Sequence, residues 1–266
     1  MGDGGAVSRR YVSVSGGADS TATALLLWER GEDFELLFSD TGAELPETYW
    51  LLPRLAMFIG KRLNVVSNGS FFSHFANYGF MSPGPQCRYC TRLLKQVPQE
   101  RYFGRIVAEI QKTESDFVPD DLYVAVGIRA DEPQRTRDGP RVKTQPTPHY
   151  PLVDAGMDKS GVKSLCRKYD LLSPAYEWRT NISCFMCFFQ RKSDWLGLLK
   201  HHPSLFALAE EWEEQSHEMS ERLGTANWWW GGATKPLSSL RATVEDQMRF
   251  GEWQELPDEP CTICTI

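Results

Sequence analysis

Residues 11–21 read YVSVSGGADST, a β-branched run that leads straight into two adjacent glycines. The run predicts a short strand, and TATALLLWE at 21–29 predicts a helix with a buried face. Adjacent glycines let the backbone turn tightly and approach an anion, because no Cβ stands in the way. The free amides and positive dipole end of the following helix would face that anion. The stretch therefore predicts a phosphate-binding turn, with an ordinary Gly-Gly turn between strand and helix as the alternative.

The segments that follow repeat this order of strand and helix. Further strands are predicted at 34–39, 63–66 and 122–127, with a helix between the first two at 46–59. Short apolar strands alternating with longer helices are typical of an α/β protein with a parallel sheet and helices on its faces.

The second half of the chain has a different pattern. Residues 71–90 are rich in aromatic residues, Gly and Pro and predict irregular structure, whereas 90–111 predict a helix. From residue 159 onward the pattern is largely helical. We expect a nucleotide-binding domain over residues 1–190, and a helical C-terminal extension with a short cysteine-containing tail over 191–266.

Composition and charge exclude some classes of protein. The 266 residues carry 29 Lys+Arg against 35 Asp+Glu, a formal net charge of −6. That balance excludes a protein that coats nucleic acid or anionic membrane by bulk charge, and leaves a local basic groove open. No apolar run approaches the roughly 20 residues that span a bilayer, and the N-terminal segment has no apolar core of a secretory signal. We expect a cytoplasmic protein with no membrane association.

The SGGADS motif at 15–20 matches the PP-loop of the N-type ATP pyrophosphatases. It is not a Walker-type loop, because no Gly-Lys-Ser/Thr follows the glycines, and it is not a dinucleotide-binding turn, because the G-x-G-x-x-G spacing is absent. The resemblance implies the parallel-sheet PP-loop ATP-pyrophosphatase fold (adenine nucleotide alpha hydrolase-like) and a loop that holds the β- and γ-phosphates of ATP. On this resemblance the nucleotide-binding residues here are Ser13, Ser15, Gly16, Gly17, Asp19, Ser20 and Thr21.

Two further segments narrow the family. FSDTGAELPET at 38–48 and GIRADE at 127–132 resemble the "DTG…PET" and "GIR" segments of phosphoadenylyl-sulfate (PAPS) reductase-like proteins. Asp40 would end the second strand, where open α/β sheets bind ligands, and is a candidate to orient Mg²⁺ or the ribose or to cap a helix. On this resemblance Asp40, Gly127 and Arg129 are also nucleotide-binding residues. Arg129 is a candidate for the phosphate chain, because an arginine fork binds phosphate in a bidentate manner.

The cysteines fall into pairs. Six of the seven lie in C-x-x-C motifs, which indicate metal or redox chemistry in a reducing compartment. The first two pairs together supply a four-thiolate set suited to Zn²⁺ or to an iron–sulfur cluster. The unpaired cysteine lies in a helical pattern and is expected to be an ordinary buried thiol. The pairs are Cys87/Cys90, Cys184/Cys187 and Cys261/Cys264, and the unpaired residue is Cys166.

The segments around the first two pairs, CRYCTRLLKQVP and CFMCFFQ, resemble the cluster-bearing sulfur-transfer branch of this family. The resemblance is to the ATP-pyrophosphatase-like component of bacterial DNA phosphorothioation systems. It implies a 4Fe–4S cluster on Cys87, Cys90, Cys184 and Cys187, with zinc as the alternative. The tail pair is left open: it carries sulfur as a persulfide, forms a reversible disulfide, binds metal at a partner's surface, or has no catalytic role.

The resemblance implies an enzyme that cleaves ATP to AMP and pyrophosphate and so activates an acceptor for sulfur transfer, in DNA phosphorothioate modification. The implied catalytic residues are Asp19, Ser20, Asp40 and Arg129, and the implied cofactors are ATP, Mg²⁺ and the cluster. The implied partners are a sulfur donor such as a cysteine desulfurase, other modification proteins, and nucleic acid reached through them. Two alternatives stay open: a PAPS or adenylyl-sulfate reductase with redox-active tail cysteines, and a nucleotide-binding assembly subunit without turnover.

Overall fold

A computed structural model describes residues 9–83, 88–115, 117, 122–136, 146–224, 230 and 235–242. The chain forms two compact units whose segments are interleaved along the sequence. The first comprises Met1–Asp40, Pro46–Asn68 and Leu93–Pro174, and the second comprises Thr41–Leu45, Gly69–Arg92 and Ala175–Ile266. The expected division at residue 190 stays a prediction.

Five parallel strands form the sheet of the first unit. They are β1 (Arg9–Val14), β2 (Glu35–Ser39), β3 (Leu63–Val66), β4 (Leu122–Ala125) and β5 (Thr147–His149). Their order is β3-β2-β1-β4-β5, and every neighbouring pair is parallel. The winding direction reverses between β1 and β4, and open α/β sheets bind ligands outside the carboxyl ends of the strands at such a switch point. The predicted α/β class is confirmed.

Helices follow the strands and continue through the second half of the chain. In chain order they are α1 (Ala18–Glu29), α2 (Pro46–Ile59), α3 (Phe71–Asn77), α4 (Tyr89–Thr91), α5 (Val97–Thr113), α6 (Pro151–Asp154), α7 (Lys159–Lys168), α8 (Lys192–His201) and α9 (Pro203–Leu223). The predicted helical C-terminal region is therefore present. Among the described residues, no helix is both long and apolar enough to cross a membrane.

The core of the first unit shows why these segments take these forms. Leu36 and Leu37, on opposite faces of β2, are both fully buried, as expected for a strand covered on two sides. One turn apart along α5, Phe103 and Val107 pack with Tyr11 of β1 in the same cluster. This cluster, which includes Leu37 of β2, packs α5 against the sheet.

One expectation was wrong: residues 71–77 form helix α3 rather than irregular structure. The Ser70 hydroxyl accepts a hydrogen bond from the Ser73 amide (3.2 Å) and so caps the helix. One turn apart, Phe71 and Phe75 are buried and both contact the Trp212 ring. The cap and the burial of this aromatic face stabilise a helix in a segment whose composition suggested a loop.

Candidate functional site

The phosphate loop (residues 15–20) joins β1 to α1 at the carboxyl edge of the sheet. Gly16 has φ +75°, and a Cβ at this position would lie 3.0 Å from Thr48 Cγ2. Both the backbone conformation and the space therefore require glycine. Thr21 N donates to Gly17 O (3.0 Å) as α1 begins, so the amides of residues 18–20 point out of the helix N-terminus.

Ser20 braces this loop from inside. Its Oγ donates to Gly17 O (3.0 Å) and accepts from Ser15 N (3.1 Å), and Ser15 Oγ lies 3.3 Å away. The residue is only 7% exposed. The loop thus holds its shape through its own hydrogen bonds, and Ser20 is part of that framework.

The chain after β4 comes very close to the loop at Gly127. A Cβ on Gly127 would lie 2.7 Å from the carbonyl carbon of Asp19 and 2.8 Å from Ser20 N. These neighbours are backbone atoms that rotamer changes cannot move, so only glycine fits. Gly127 is therefore a packing partner of the loop, and its predicted role in nucleotide binding stays a prediction.

Arg129 lies beside Asp19 and is surrounded by carboxylates. Its Nη1 contacts Asp19 Oδ2 at 2.9 Å, its Nε contacts Asp131 Oδ1 at 2.9 Å, and its Nη2 contacts Glu132 Oε1 at 2.5 Å. The Arg129 side chain is 12% exposed. The second oxygen of Glu132 pairs with Arg135. The guanidinium that the sequence suggested for the phosphate chain thus holds Asp19 in place.

The electrostatic environment of Asp19 favours a nearby cation. Burial raises the pKa of Asp19; Arg129 opposes that rise and Glu132 adds to it. Burial works against the charge of Arg129, but its carboxylate neighbours outweigh burial, so the pKa of Arg129 is raised. The pair is therefore an ionised arginine beside a carboxylate that is harder to ionise than usual.

Asp40 lies where β2 ends. Tyr49 donates its hydroxyl to Asp40 Oδ1 (2.7 Å), and Asp40 N donates to Val66 O (2.8 Å). Helix α2 begins only at Pro46, so Asp40 does not cap it. The carboxylate thus lies after β2, at the same edge of the sheet as the phosphate loop.

A polar layer at the ends of β1 and β2 includes a residue that the sequence did not reveal. Gln99 of α5 contacts Ser39 Oγ at 3.0 Å and Ser13 Oγ at 3.5 Å. Ser39 in turn donates to Lys95 O at 3.3 Å. Ser13 thus faces α5 in this layer. Nothing in the sequence near Gln99 signals this contact, which spans 86 positions along the chain.

Two buried hydroxyl groups in and next to the loop fit a polyphosphate. Thr21 Oγ1 and Thr48 Oγ1 have no hydrogen-bond partner among the described residues. Buried polar groups are normally satisfied, and an unmet one is costly. Together with the amides at the start of α1, these hydroxyls are donors of the kind that phosphate oxygens accept from. Mg²⁺ in nucleotide sites takes one or two protein carboxylates besides phosphate oxygens, and Asp19 and Asp40 are the carboxylates here that fit it.

In the second unit, Cys184 and Cys187 lie in a turn organised by Arg179. Cys187 N donates to Cys184 O (3.1 Å), and Arg179 donates to Ser183 O (3.2 Å) and Cys184 O (3.4 Å). Arg179 is only 3% exposed. Burial lowers its pKa, while Asp194 and the two cysteines act in the opposite direction.

The Cys184 thiol also contacts polar groups from a distant segment. Its Sγ lies 3.4 Å from Thr41 Oγ1 and 3.6 Å from Glu44 Oε1, and Thr41 donates to Glu44 (2.7 Å). Cys90 lies on α4 in the same unit. Within the described parts of the chain, no three His, Cys, Asp or Glu side chains gather as metal ligands. Cys87 and the tail pair at 261 and 264 lie outside those parts, so the four-cysteine site stays a prediction.

The expectation for Cys166 is confirmed. It is fully buried on α7, and its Sγ lies 3.4 Å from Ala18 O at the start of α1. Burial, with a smaller contribution from Asp19, raises the pKa of the thiol to about 12. Cys166 is a packing residue that stays protonated near neutral pH.

Comparison with known proteins agrees with this architecture. A family model for the phosphoadenosine phosphosulfate reductase domain matches residues 9–154, more than half of the chain. The chain belongs to this family. The PAPS reductase domain family is enzymatic and its members bind nucleotides. The matched region contains β1 to β5, the phosphate loop, Asp40, Gly127 and Arg129.

The other similarities of this PAPS reductase-family chain are more distant. It is 25% identical over 230 residues to the uncharacterized protein MJ0066 of Methanocaldococcus jannaschii, which covers 82% of this chain. The chain spans 43% of that relative's length.

Two solved structures resemble it at low similarity. PAPS reductase from Candida auris, solved as a phosphate complex, is 15% identical with a TM-score of 0.47, covering 67% of this chain and 82% of its own. A predicted subunit of tRNA methyltransferase from Methanocaldococcus jannaschii is 17% identical with a TM-score of 0.36, covering 60% and 75% respectively. Neither likeness bears on the substrate of this chain.

Proposed function

We propose that this chain binds ATP at the phosphate loop and cleaves it to AMP and pyrophosphate, activating an acceptor for sulfur transfer. The observation that carries the proposal is the loop itself. Two glycines and an internal Ser20 brace aim the amides of residues 18–20 out of the sheet at its switch point. Such an array binds phosphate groups.

The proposed reaction displaces pyrophosphate from ATP in the first of two steps. A nucleophilic atom of the acceptor attacks the α-phosphorus, the bond to the bridging oxygen breaks, and the acceptor carries the adenylyl group. Pyrophosphate leaves with the electron pair, and the amides and dipole of α1 stabilise its charge. In the second step, sulfur from the donor attacks the activated acceptor and displaces AMP. Arg129 keeps Asp19 oriented through their 2.9 Å contact. Asp19 and Asp40 would hold Mg²⁺, which when bound neutralises phosphate charge.

The charge around Arg129 favours a nucleotide that arrives with a cation. Asp19, Asp131 and Glu132 all contact this one guanidinium. Burial already raises the pKa of Asp19, so its negative charge is unfavourable in this environment. A metal-free sulfonucleotide would add further negative charge next to this carboxylate. ATP carries Mg²⁺ into such a site, and this supports ATP over PAPS as the substrate.

The sulfur-transfer part of the proposal depends on the cysteines. Cys90, Cys184 and Cys187 belong to one unit, and with Cys87 they would hold a 4Fe–4S cluster, or Zn²⁺. A cluster, when bound, supplies a redox-active or sulfur-bearing centre. The partners would be a sulfur donor such as a cysteine desulfurase and the other proteins of DNA phosphorothioation, through which this acidic chain reaches nucleic acid.

An assay with two nucleotides separates this proposal from its nearest rival. The family model matched is that of a PAPS reductase domain, which favours sulfonucleotide reduction as the second candidate. We expect pyrophosphate from ATP and Mg²⁺, and its loss in Asp19→Ala. Sulfite released from PAPS or adenylyl sulfate with thioredoxin, without pyrophosphate from ATP, would favour the reductase. ATP binding with no turnover, even with candidate partners present, would favour an assembly subunit.

Anaerobic purification tests the cluster separately. A brown protein with about four iron atoms per chain is expected. Cys184→Ser should lose this iron, whereas Cys166→Ser should keep it, because Cys166 is packed against α1. A colourless protein that contains zinc would remove the cluster from the proposal.

A further inference from the structure

Helix α7 places Lys163 next to the phosphate loop, in a position that the site described above does not use. Two contacts locate this helix. Near its C-terminal end, the Cys166 thiol lies 3.4 Å from Ala18 O, the first residue of α1. Before its N-terminal end, Met157 O accepts a hydrogen bond from Ala130 N (3.0 Å), the residue after Arg129.

Lys163 lies between these two contacts. It precedes Cys166 by three residues, so the two side chains are neighbours on one helix face, about 5–6 Å apart at Cβ. That face turns toward the first turn of α1. The two contacts are made with Ala18, which precedes Asp19, and with Ala130, which follows Arg129. Asp19 and Arg129 form the 2.9 Å ion pair of the loop. These contacts place the Lys163 face of α7 toward this pair, and the charge of Asp19 acts on Lys163.

Two further cations flank Lys163 on helix α7. Lys159 and Arg167 stand four residues before and after it on the same helix, an arrangement of like charges that is unfavourable on a helix. Burial lowers the pKa of Lys163, both neighbours lower it further, and Asp19 acts in the opposite direction. An anion bound here would relieve the repulsion within α7.

The phosphate loop itself supplies no cationic side chain. Its six residues, SGGADS, contain neither lysine nor arginine. Arg129, which contacts Asp19 of the loop, contacts three carboxylates in all. A cationic side chain contributes more to phosphate binding than a neutral amide or hydroxyl donor.

We propose that Lys163 is a phosphate-binding residue of the loop and pairs with the phosphate chain of the nucleotide. This inference rests on the proposed function in so far as the nucleotide is ATP. In this assignment Arg129 orients Asp19 and Lys163 supplies the positive charge, so the two cations have separate roles.

Calorimetric titration of the full chain with Mg²⁺–ATP and, separately, with inorganic pyrophosphate tests the assignment. Lys163→Gln should weaken binding of both probes about tenfold, the loss of one charge-assisted contact. The matched control is Lys159→Gln, which removes the same charge at an exposed position one helical turn before Lys163. It should change either affinity by less than about twofold. Lys163→Arg should restore most of the affinity.

The outcomes separate this inference from the proposed function. Equal pyrophosphate affinities for Lys163→Gln and the wild type would overturn the assignment. If pyrophosphate binding depends on Lys163 but ATP does not bind, the assignment stands and the ATP proposal fails. A wild-type chain that binds neither probe overturns both. The thermal midpoint of ligand-free Lys163→Gln is measured alongside. An affinity loss that arginine restores supports direct phosphate binding, whereas a fall in the midpoint accompanied by the affinity loss, and not rescued by arginine, would assign Lys163 a structural role instead.

Discussion

The two candidate centres are the phosphate loop and the turn that holds Cys184 and Cys187, here called the cysteine turn. They differ in how far apart their contacting residues lie in the sequence. In the loop, Ser15, Gly17 and Ser20 contact one another within six residues. In the cysteine turn, Cys184 contacts Thr41 and Glu44, which lie 143 and 140 positions away. A short motif therefore carries the geometry of the first centre, whereas the second depends on the completed fold of its unit.

Residues distant in sequence also contact the phosphate loop. Substituting them tests whether the loop keeps its conformation through its own hydrogen bonds alone. Gly127 and Arg129 reach it from the end of β4, which pairs with β1. The ion pair between Arg129 and Asp19 spans 110 positions. Substitutions in these distant parts should damage the loop if the strand pairing sets its final shape.

The largest effect is expected for Gly127→Ala. The new methyl would meet the Asp19 backbone at 2.7 Å, so we expect a loss of about 1–3 kcal/mol of unfolding free energy and at least about tenfold weaker ATP binding. Urea denaturation and calorimetric titration measure the two. Gly104→Ala is the matched control, because a Cβ there meets nothing within 4 Å. Similar losses in both variants would contradict the close packing at Gly127.

Asp19→Asn should separate binding from stability. Burial is the chief reason that the pKa of Asp19 in the folded protein is raised above the ordinary value of 3.8. Protonated Asp19 therefore stabilises the fold below pH 3.8, and this contribution is lost as the pH rises through the raised pKa. At pH 7 the variant should therefore melt at the same temperature or higher, while Mg²⁺–ATP binding weakens at least about tenfold.

Calorimetry in parallel on Asp131→Asn provides the control for Asp19→Asn. Asp131 also pairs with Arg129 but is more exposed, at 44% against 30% for Asp19. Its substitution should change ATP affinity by less than about twofold. A lower melting temperature for Asp19→Asn at pH 7, or equal affinity losses in the two variants, would argue against the role given to Asp19.

A smaller effect is expected for Ser20→Ala. Removing Oγ takes a donor from Gly17 O and an acceptor from Ser15 N, at a cost of about 1 kcal/mol in unfolding free energy. Urea denaturation measures it, with Ser164→Ala on the exposed face of α7 as a control expected within about 0.5 kcal/mol. An unchanged stability for Ser20→Ala would mean that the loop does not depend on its internal brace.

The last prediction is that Cys166 does not react with an alkylating reagent in the native protein. With its pKa raised to about 12, Cys166 should be thiolate in only about one molecule in ten thousand at pH 8. Iodoacetamide should leave it unmodified in the metal-free native protein and label it in denaturant, while Cys184 and Cys187, which are less buried, react first. Peptide mass spectrometry reads this out, and native labelling of Cys166 at the rate of Cys184 would contradict its packing role.

The sequence predicted those parts of the site that short motifs encode. The α/β class and the strand–loop–helix unit followed from periodicity and paired glycines. The chain after β4 brings Gly127 and Arg129 to the loop, while their predicted roles in nucleotide binding stay predictions. Gln99 and Lys163 were missed, because a helix residue gains such a role only when its helix packs beside a loop distant in sequence. Helix α3 was missed because its stability comes from aromatic burial against Trp212.

The central claim is that the phosphate loop holds ATP for cleavage between its α- and β-phosphates. The direct test incubates the full chain with Mg²⁺ and ATP labelled in the γ-phosphate, and separates labelled pyrophosphate from labelled phosphate. With water taking the place of the acceptor as nucleophile, the account predicts labelled pyrophosphate together with AMP, and neither product from Asp19→Asn. Labelled phosphate with ADP, or intact ATP alongside sulfite released from PAPS, would contradict it.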